Sequence, residues 1–149
     1  MTFIFDSTLI YGYLSDCGLA VFSKTNNLKF QTENTLKNLI HRYAQKIPKE
    51  RRMLVRKELR NNPNGKGYGT FTGEQNAGLY YKTGAINLAQ SDLAVLYSDG
   101  FVDYLQFSQV IEILRKEDRA ALDAFSAQKA KENPEVFGTD RTFIAFSPK

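Results

Sequence analysis

Asp92-Leu93-Ala94-Val95-Leu96-Tyr97-Ser98-Asp99-Gly100-Phe101 is the stretch on which the fold of this chain turns. Its apolar residues form a buried strand that stops at a turn, with Asp99 at the strand's C-terminal end. Glycine at position 100 lets the backbone turn sharply and leaves room around the carboxylate. A second acid, Asp140, follows 41 residues later and opens Asp140-Arg141-Thr142-Phe143-Ile144-Ala145-Phe146, another strand. Two carboxylates at the mouths of two strands suit a hard divalent cation such as Mg²⁺ or Mn²⁺, which takes oxygen ligands.

Composition bounds the function. The 149 residues fit one domain, and a hydrophobic content of 42% supports a sizeable core and argues against disorder. One cysteine rules out an intramolecular disulfide and fits a reducing, cytoplasmic setting. A single histidine and a single cysteine give neither a zinc-ligand spacing nor a Cys-His nucleophilic set. Met1 to Asp6 has no basic leader of a signal peptide, and no apolar run reaches the ~20 residues that span a bilayer.

The net charge of +4 is unevenly placed. Between Lys37 and Lys66 stand ten Lys/Arg against two acids, Glu50 and Glu58, an excess of +8. Such a segment suits phosphate, nucleic acid or an acidic protein, with Arg51, Arg52, Arg56 and Lys57 as candidate anion- or partner-binding residues. Its other reading is a solvated pair of helix faces. Aromatics for base stacking are confined to Tyr43 and Tyr68, which counts against nucleic acid.

Patterning predicts strands over 8–14 and 19–22 joined as a hairpin through Ser15-Asp16-Cys17-Gly18, with a third short strand over 28–30. Leu36, Leu39, Ile40 and Tyr43 at helical spacing predict a helix capped by Thr32 or Asn34, and Pro48 restarts a second helix over 49–59. Residues 61–69, rich in Asn and Gly, predict a loop. Short strands are expected over 79–81 and 85–88, the core strand over 94–97, helices over 107–115 and 119–131, and a closing strand over 142–146. This order favours an α+β fold of largely antiparallel sheets with helices outside them.

The order of features resembles the later part of the type 2C, metal-dependent protein serine/threonine phosphatases. Tyr13-Leu14-Ser15-Asp16-Cys17-Gly18-Leu19-Ala20-Val21 resembles the family's glycine-aspartate-serine hairpin. Gly67-Tyr68-Gly69 through Thr72-Gly73-Glu74 resembles its glycine-rich stretch. Leu96-Tyr97-Ser98-Asp99-Gly100-Phe101 resembles its late aspartate-glycine motif. Thr139-Asp140-Arg141-Thr142 resembles its terminal aspartate motif, in which asparagine is commoner than arginine.

The resemblance implies an antiparallel β-sandwich flanked by helix pairs, and hydrolysis of phosphoserine or phosphothreonine by water activated on Mg²⁺ or Mn²⁺. It assigns Asp99 and Asp140 as metal ligands, with Gly100 as backbone beside the metal. In the family, further metal-binding acids and a phosphate-binding arginine come from strands before the hairpin. Here Asp6 is the only acid before Asp16. The expectation is therefore one domain over 1–149, incomplete at its N-terminus, with impaired catalysis and weak metal binding. A non-catalytic phosphatase-derived module that binds a phosphoprotein or regulatory protein, or pairs with itself, stands as the alternative. A binder of nucleic acid or an acidic partner through the basic helices is the second alternative.

Each residue also has a plainer role. Asp99 before Gly100 can cap a turn, and Asp140 can pair with Arg141. Asp16 can order its own turn, and Gly67 and Gly69 can serve turns without cradling phosphate. His41 has no second ligand in view and reads as structural. Cys17 reads as a small buried filler.

Overall fold

The computed structural model describes residues 1–44, 48 and 52–148. The chain divides into two compact units: Met1–Cys17 with Glu33–Ile86, and Gly18–Thr32 with Asn87–Lys149. Each mixes α and β structure, and the two sheets are antiparallel.

The first unit holds a three-stranded sheet in the order β1-β2-β5, formed by β1 (Thr2–Phe5), β2 (Thr8–Tyr13) and β5 (Lys82–Asn87). β1 and β2 form a hairpin that closes at Phe5↔Thr8, so Asp6 and Ser7 make the turn and Asp6 takes a φ of 52°. Helix α1 (Thr35–Ala44) is capped by Asn34, whose Oδ1 accepts from Lys37 N–H at 2.7 Å. Helix α2 spans Arg52–Leu59, and the expected residues 49–51 lie outside the described residues.

Two expectations for this unit fail. Strands 8–14 and 19–22 do not pair: β2 belongs to this sheet, and β3 (Gly18–Phe22) belongs to the other. Ser15 between them has a φ of 63°, and its carbonyl accepts from Thr35 N–H and Oγ1, so the chain is redirected there and not folded back. Residues 75–80 form a short 3-10 helix, and 82–87 form one continuous strand in place of the two expected over 79–81 and 85–88. Tyr81 and Tyr11 explain the continuity. Each phenol lies over a glycine of the neighbouring strand, Gly12 and Gly84, and a side chain on either glycine would close that space.

The second unit holds a four-stranded antiparallel sheet in the order β4-β3-β6-β7, with β4 (Leu28–Gln31), β6 (Leu93–Tyr97) and β7 (Phe143–Phe146). Ala20 and Phe22 of β3 and Leu93, Val95 and Tyr97 of β6 share one core, as period-two alternation requires. Helices α3 (Asp99–Val102), α4 (Ser108–Arg115), α5 (Arg119–Glu132) and α6 (Pro134–Phe137) add Phe101, Val110, Ile111, Leu114, Leu122 and Phe137 to it. Tyr104 is fully buried, and its hydroxyl donates to the Phe137 carbonyl at 3.0 Å, so its one polar atom is satisfied.

Two polar nodes hold this unit's loops. Lys29 Nζ donates to Asp92 Oδ2 at 2.5 Å, and the same oxygen accepts from Ala89 N–H at 2.9 Å. Arg115 at the end of α4 donates to Asn26 Oδ1, Ser91 O and Ser23 O, which ties the β3–β4 turn to the helix. Among the described residues, no helix is long and apolar enough to cross a membrane.

Candidate functional site

The two predicted ligands come from the same end of one sheet. β6 and β7 run antiparallel with Tyr97 opposite Phe143, so the exit of β6 and the approach to β7 are neighbours. Ser98 extends the pairing one step beyond the ladder. Its N–H donates to Thr142 O at 2.9 Å, and its Oγ accepts from Thr142 N–H at 2.9 Å. Asp99 then begins α3, and Asp140 lies two residues before Thr142.

Gly100 brings the two segments into contact. A β-carbon there would overlap the carbonyl oxygen of Asp140 and would stand 2.9 Å from Thr139 Oγ1. Glycine is required by close backbone approach, the purpose that makes Asp-Gly informative at this strand end. Both carboxylates are exposed. Asp99 Oδ1 accepts from Gly100 N–H at 2.8 Å, so the residue does order its turn, a role compatible with a further ligand on an exposed carboxylate.

Arg141 does not turn to Asp140. Its Nη1 donates to the carbonyls of Phe137 and Thr139 at 3.0 and 3.4 Å, and its guanidinium lies 5.1 Å from the centre of the Tyr104 ring. Among the described residues no ion pair joins Asp140 to Arg141. Ser98 and Thr142, whose hydrogen bonds join the two segments, were not singled out from sequence. The signal available was Ser next to Asp-Gly, a weak one.

The donor set limits what a metal could find here. Among the described residues, no three Asp, Glu, His or Cys side chains gather as a metal-holding group. Mg²⁺ takes about six oxygens, so two carboxylates would leave most of one ion's shell to water and would fall short of a binuclear centre.

The other candidates lie elsewhere in the chain. Asp16 sits in the turn that follows β2 in the first unit and is half-buried. Gly67 is a packing glycine, since a β-carbon there would overlap the Leu59 carbonyl oxygen. Its segment is stitched to the end of α2 by Tyr68 N–H to Leu59 O and Asn61 N–H to Tyr68 O. His41 on α1 is exposed. Cys17 is exposed, not the buried filler expected, because the turn that redirects the chain at Ser15 leaves it on the surface. Of the basic candidates, Arg52, Arg56 and Lys57 stand on α2, and Lys57 is exposed; Arg51 lies outside the described residues.

Asn61, 4% exposed and at a φ of 47°, organises residues 60–74. Its Nδ2 donates to Thr70 O, Thr72 Oγ1 and Glu74 Oε2, and its Oδ1 accepts from Thr70 N–H. The Asn61 hydrogen bond, reinforced by Arg60, holds the Glu74 carboxyl below its ordinary range against the opposing effect of desolvation. No protein-family model and no curated protein matches this chain.

Proposed function

We propose that this chain is a phosphatase-like domain of the metal-dependent type 2C kind, a β-sandwich with flanking helices. It holds one Mg²⁺ or Mn²⁺ weakly and hydrolyses phosphoserine or phosphothreonine poorly when alone. The observation that carries this reading is the meeting of Gly100 with the Asp140 backbone, which sets two exposed carboxylates at one end of paired strands. Asp99 and Asp140 would hold the ion. When bound, it would supply Lewis-acid activation of a water and charge neutralisation of a phosphoryl group. The chain's own residues contribute positioning: Ser98 locks the strand ends, Gly100 allows the close approach, and Arg141 braces the Asp140 turn from the Tyr104 side.

A non-catalytic, protein-binding role is favoured by a different observation, the absence of a third ligand side chain among the described residues. Calorimetric titration with Mn²⁺, together with turnover of p-nitrophenyl phosphate, separates the two. Weak binding with slow Mn²⁺-dependent turnover, both lost in Asp99→Asn and in Asp140→Asn, supports the phosphatase reading. Weak binding without turnover supports the protein-binding role. No binding, or binding indifferent to both substitutions, overturns the metal site, and fast turnover overturns the impairment.

A further inference from the structure

β1 ends its sheet, and it is an apolar edge. Strand edges in natural proteins are defended by lysine, proline, a bulge or a covering element. Thr2-Phe3-Ile4-Phe5 carries neither lysine nor proline, and it pairs with β2 in regular register. Phe3 and Phe5 are 62% and 64% exposed, Met1 is 87% exposed, and Ile10, opposite Phe3, is 47% exposed. Alternation places these four side chains on one face of the sheet.

The ladder says which backbone groups the edge offers. Met1 and Gly12 exchange two hydrogen bonds, each of 2.9 Å. Doubly bonded pairs alternate with unbonded ones along an antiparallel ladder. Phe3 and Phe5 therefore direct their N–H and C=O groups toward β2, while Thr2 and Ile4 direct theirs away from it, where the sheet has no further strand among the described residues.

We propose that β1 pairs antiparallel with β1 of a second copy, about a two-fold axis passing between the two Phe3 residues. Thr2 then faces Ile4 in both halves and each such pair exchanges two bonds, four in all. A two-fold centred on Ile4 is poorer. It bonds Ile4 to itself and needs Asp6 opposite Thr2, and Asp6 is committed to the hairpin turn at a φ of 52°. The favoured register joins two three-stranded sheets into one of six strands, sets Phe3 beside Phe3, and flanks them with Met1 against Phe5. An aromatic side chain contributes about 150–250 Å² when fully buried, so at these exposures each copy offers on the order of 500 Å². The pair would bury on the order of 1,000 Å², the lower end of specific interfaces, which fits a weak, reversible dimer. The interface is isologous and closes on itself, so it yields dimers and not fibres.

Sedimentation velocity from micromolar to submillimolar concentration tests the association, with Phe3→Glu and Ile4→Pro beside the unsubstituted chain. Phe3→Glu places two carboxylates side by side at the axis. Ile4→Pro removes only an outward N–H, so the bonds to β2 survive. Both should raise the dissociation constant at least tenfold with circular dichroism unchanged. The register is tested by cysteine in a Cys17→Ser background. Phe3→Cys should cross-link to a disulfide dimer under mild oxidation, since unbonded antiparallel partners sit about 4.5 Å apart at Cα, within disulfide reach. Ile4→Cys should not, because Ile4 faces Thr2. A monomer throughout the range, a dimer that survives both edge substitutions, or cross-linking at position 4 as readily as at 3 would overturn the proposal.

Discussion

Gly100 lies so close to Asp140 that a β-carbon on it would overlap the Asp140 carbonyl oxygen. The contact joins the start of α3 to the approach of β7, and the nearest atom in the way belongs to the backbone, which cannot yield as the Thr139 hydroxyl can. Gly100→Ala must therefore move backbone, at a cost of about 3 kcal/mol. Urea denaturation should show this loss, and a residual Mn²⁺ affinity in the folded variant should fall as well, since the two acids are pushed apart. A neutral Gly100→Ala would mean that the close approach is not obligatory.

Asp92 is nearly buried, and burial is the largest influence on its carboxyl, tending to raise its pKa. The Lys29 hydrogen bond, the Ala89 N–H and the nearby charges of Lys29 and Arg115 together outweigh it, and the carboxyl ends below its ordinary range. A carboxyl depressed in the folded state gives stability that is complete above its unfolded pKa, near 4. That stability is lost as pH falls from there through the folded value. The acid limb of a stability-pH curve should therefore steepen below about pH 4, and Asp92→Asn should flatten it. Lys29→Met leaves the buried carboxylate with the Ala89 amide and the Arg115 charge and should cost about 2 kcal/mol near neutrality. An acid limb unchanged in Asp92→Asn would remove this pair from the account.

The second unit was the more legible in sequence, for a physical reason. Its helices over 108–115 and 119–132 and its strands over 93–97 and 143–146 each bury a periodic apolar face against a common core, so local pattern and final placement agree. The first unit was harder outside β2 and α1, because its remaining cues are not periodic. Met1 to Phe5 drew no strand expectation, since its pairing depends on the Asp6-Ser7 turn back onto β2, and an Asp-Ser turn is a weaker hairpin signal than Asn-Gly. The turn at Ser15 looks in sequence like a hairpin turn, yet the carbonyl it lends to Thr35 sends β2 and β3 to different sheets. At the site, the two aspartates and Gly100 were visible as motif residues. The locking roles of Ser98 and Thr142 were not, because they arise from strand pairing 44 residues apart, as in the bond from Thr142 N–H to Ser98 Oγ.

Asn61 is the one side chain that reaches Thr70, Thr72 and Glu74 together. Asn61→Ala leaves a half-buried amide and carbonyl at Thr70 without this partner and should cost about 1 kcal/mol. Asn61→Asp should be worse above pH 5, because it replaces the donor facing Glu74 with a second carboxylate. Hydrogen exchange across residues 60–74 should accelerate in both variants while β3 and β6 stay protected. Uniform acceleration across the chain would show that the node supports more than its loop.

The proposed metal binding at Asp99 and Asp140 can be tested without turnover, through stability. A ligand that binds only the folded chain stabilises it by RT ln(1 + [L]/Kd). With Kd in the weak range of about 10⁻⁴ to 10⁻³ M, typical of sparse carboxylate sites, Mn²⁺ at ten times Kd adds about 1.4 kcal/mol. Asp99→Asn and Asp140→Asn should each abolish that increment. Asp123→Asn, an exposed acid on α5 whose Oδ2 lies 3.9 Å from Arg119 Nε, should leave it intact. An ion held by both aspartates would make the double substitution lose no more than either single one. An increment that persists in both single variants, or that disappears equally in Asp123→Asn, would place the cation elsewhere on the acidic surface and break the link between the Gly100–Asp140 contact and phosphoryl chemistry.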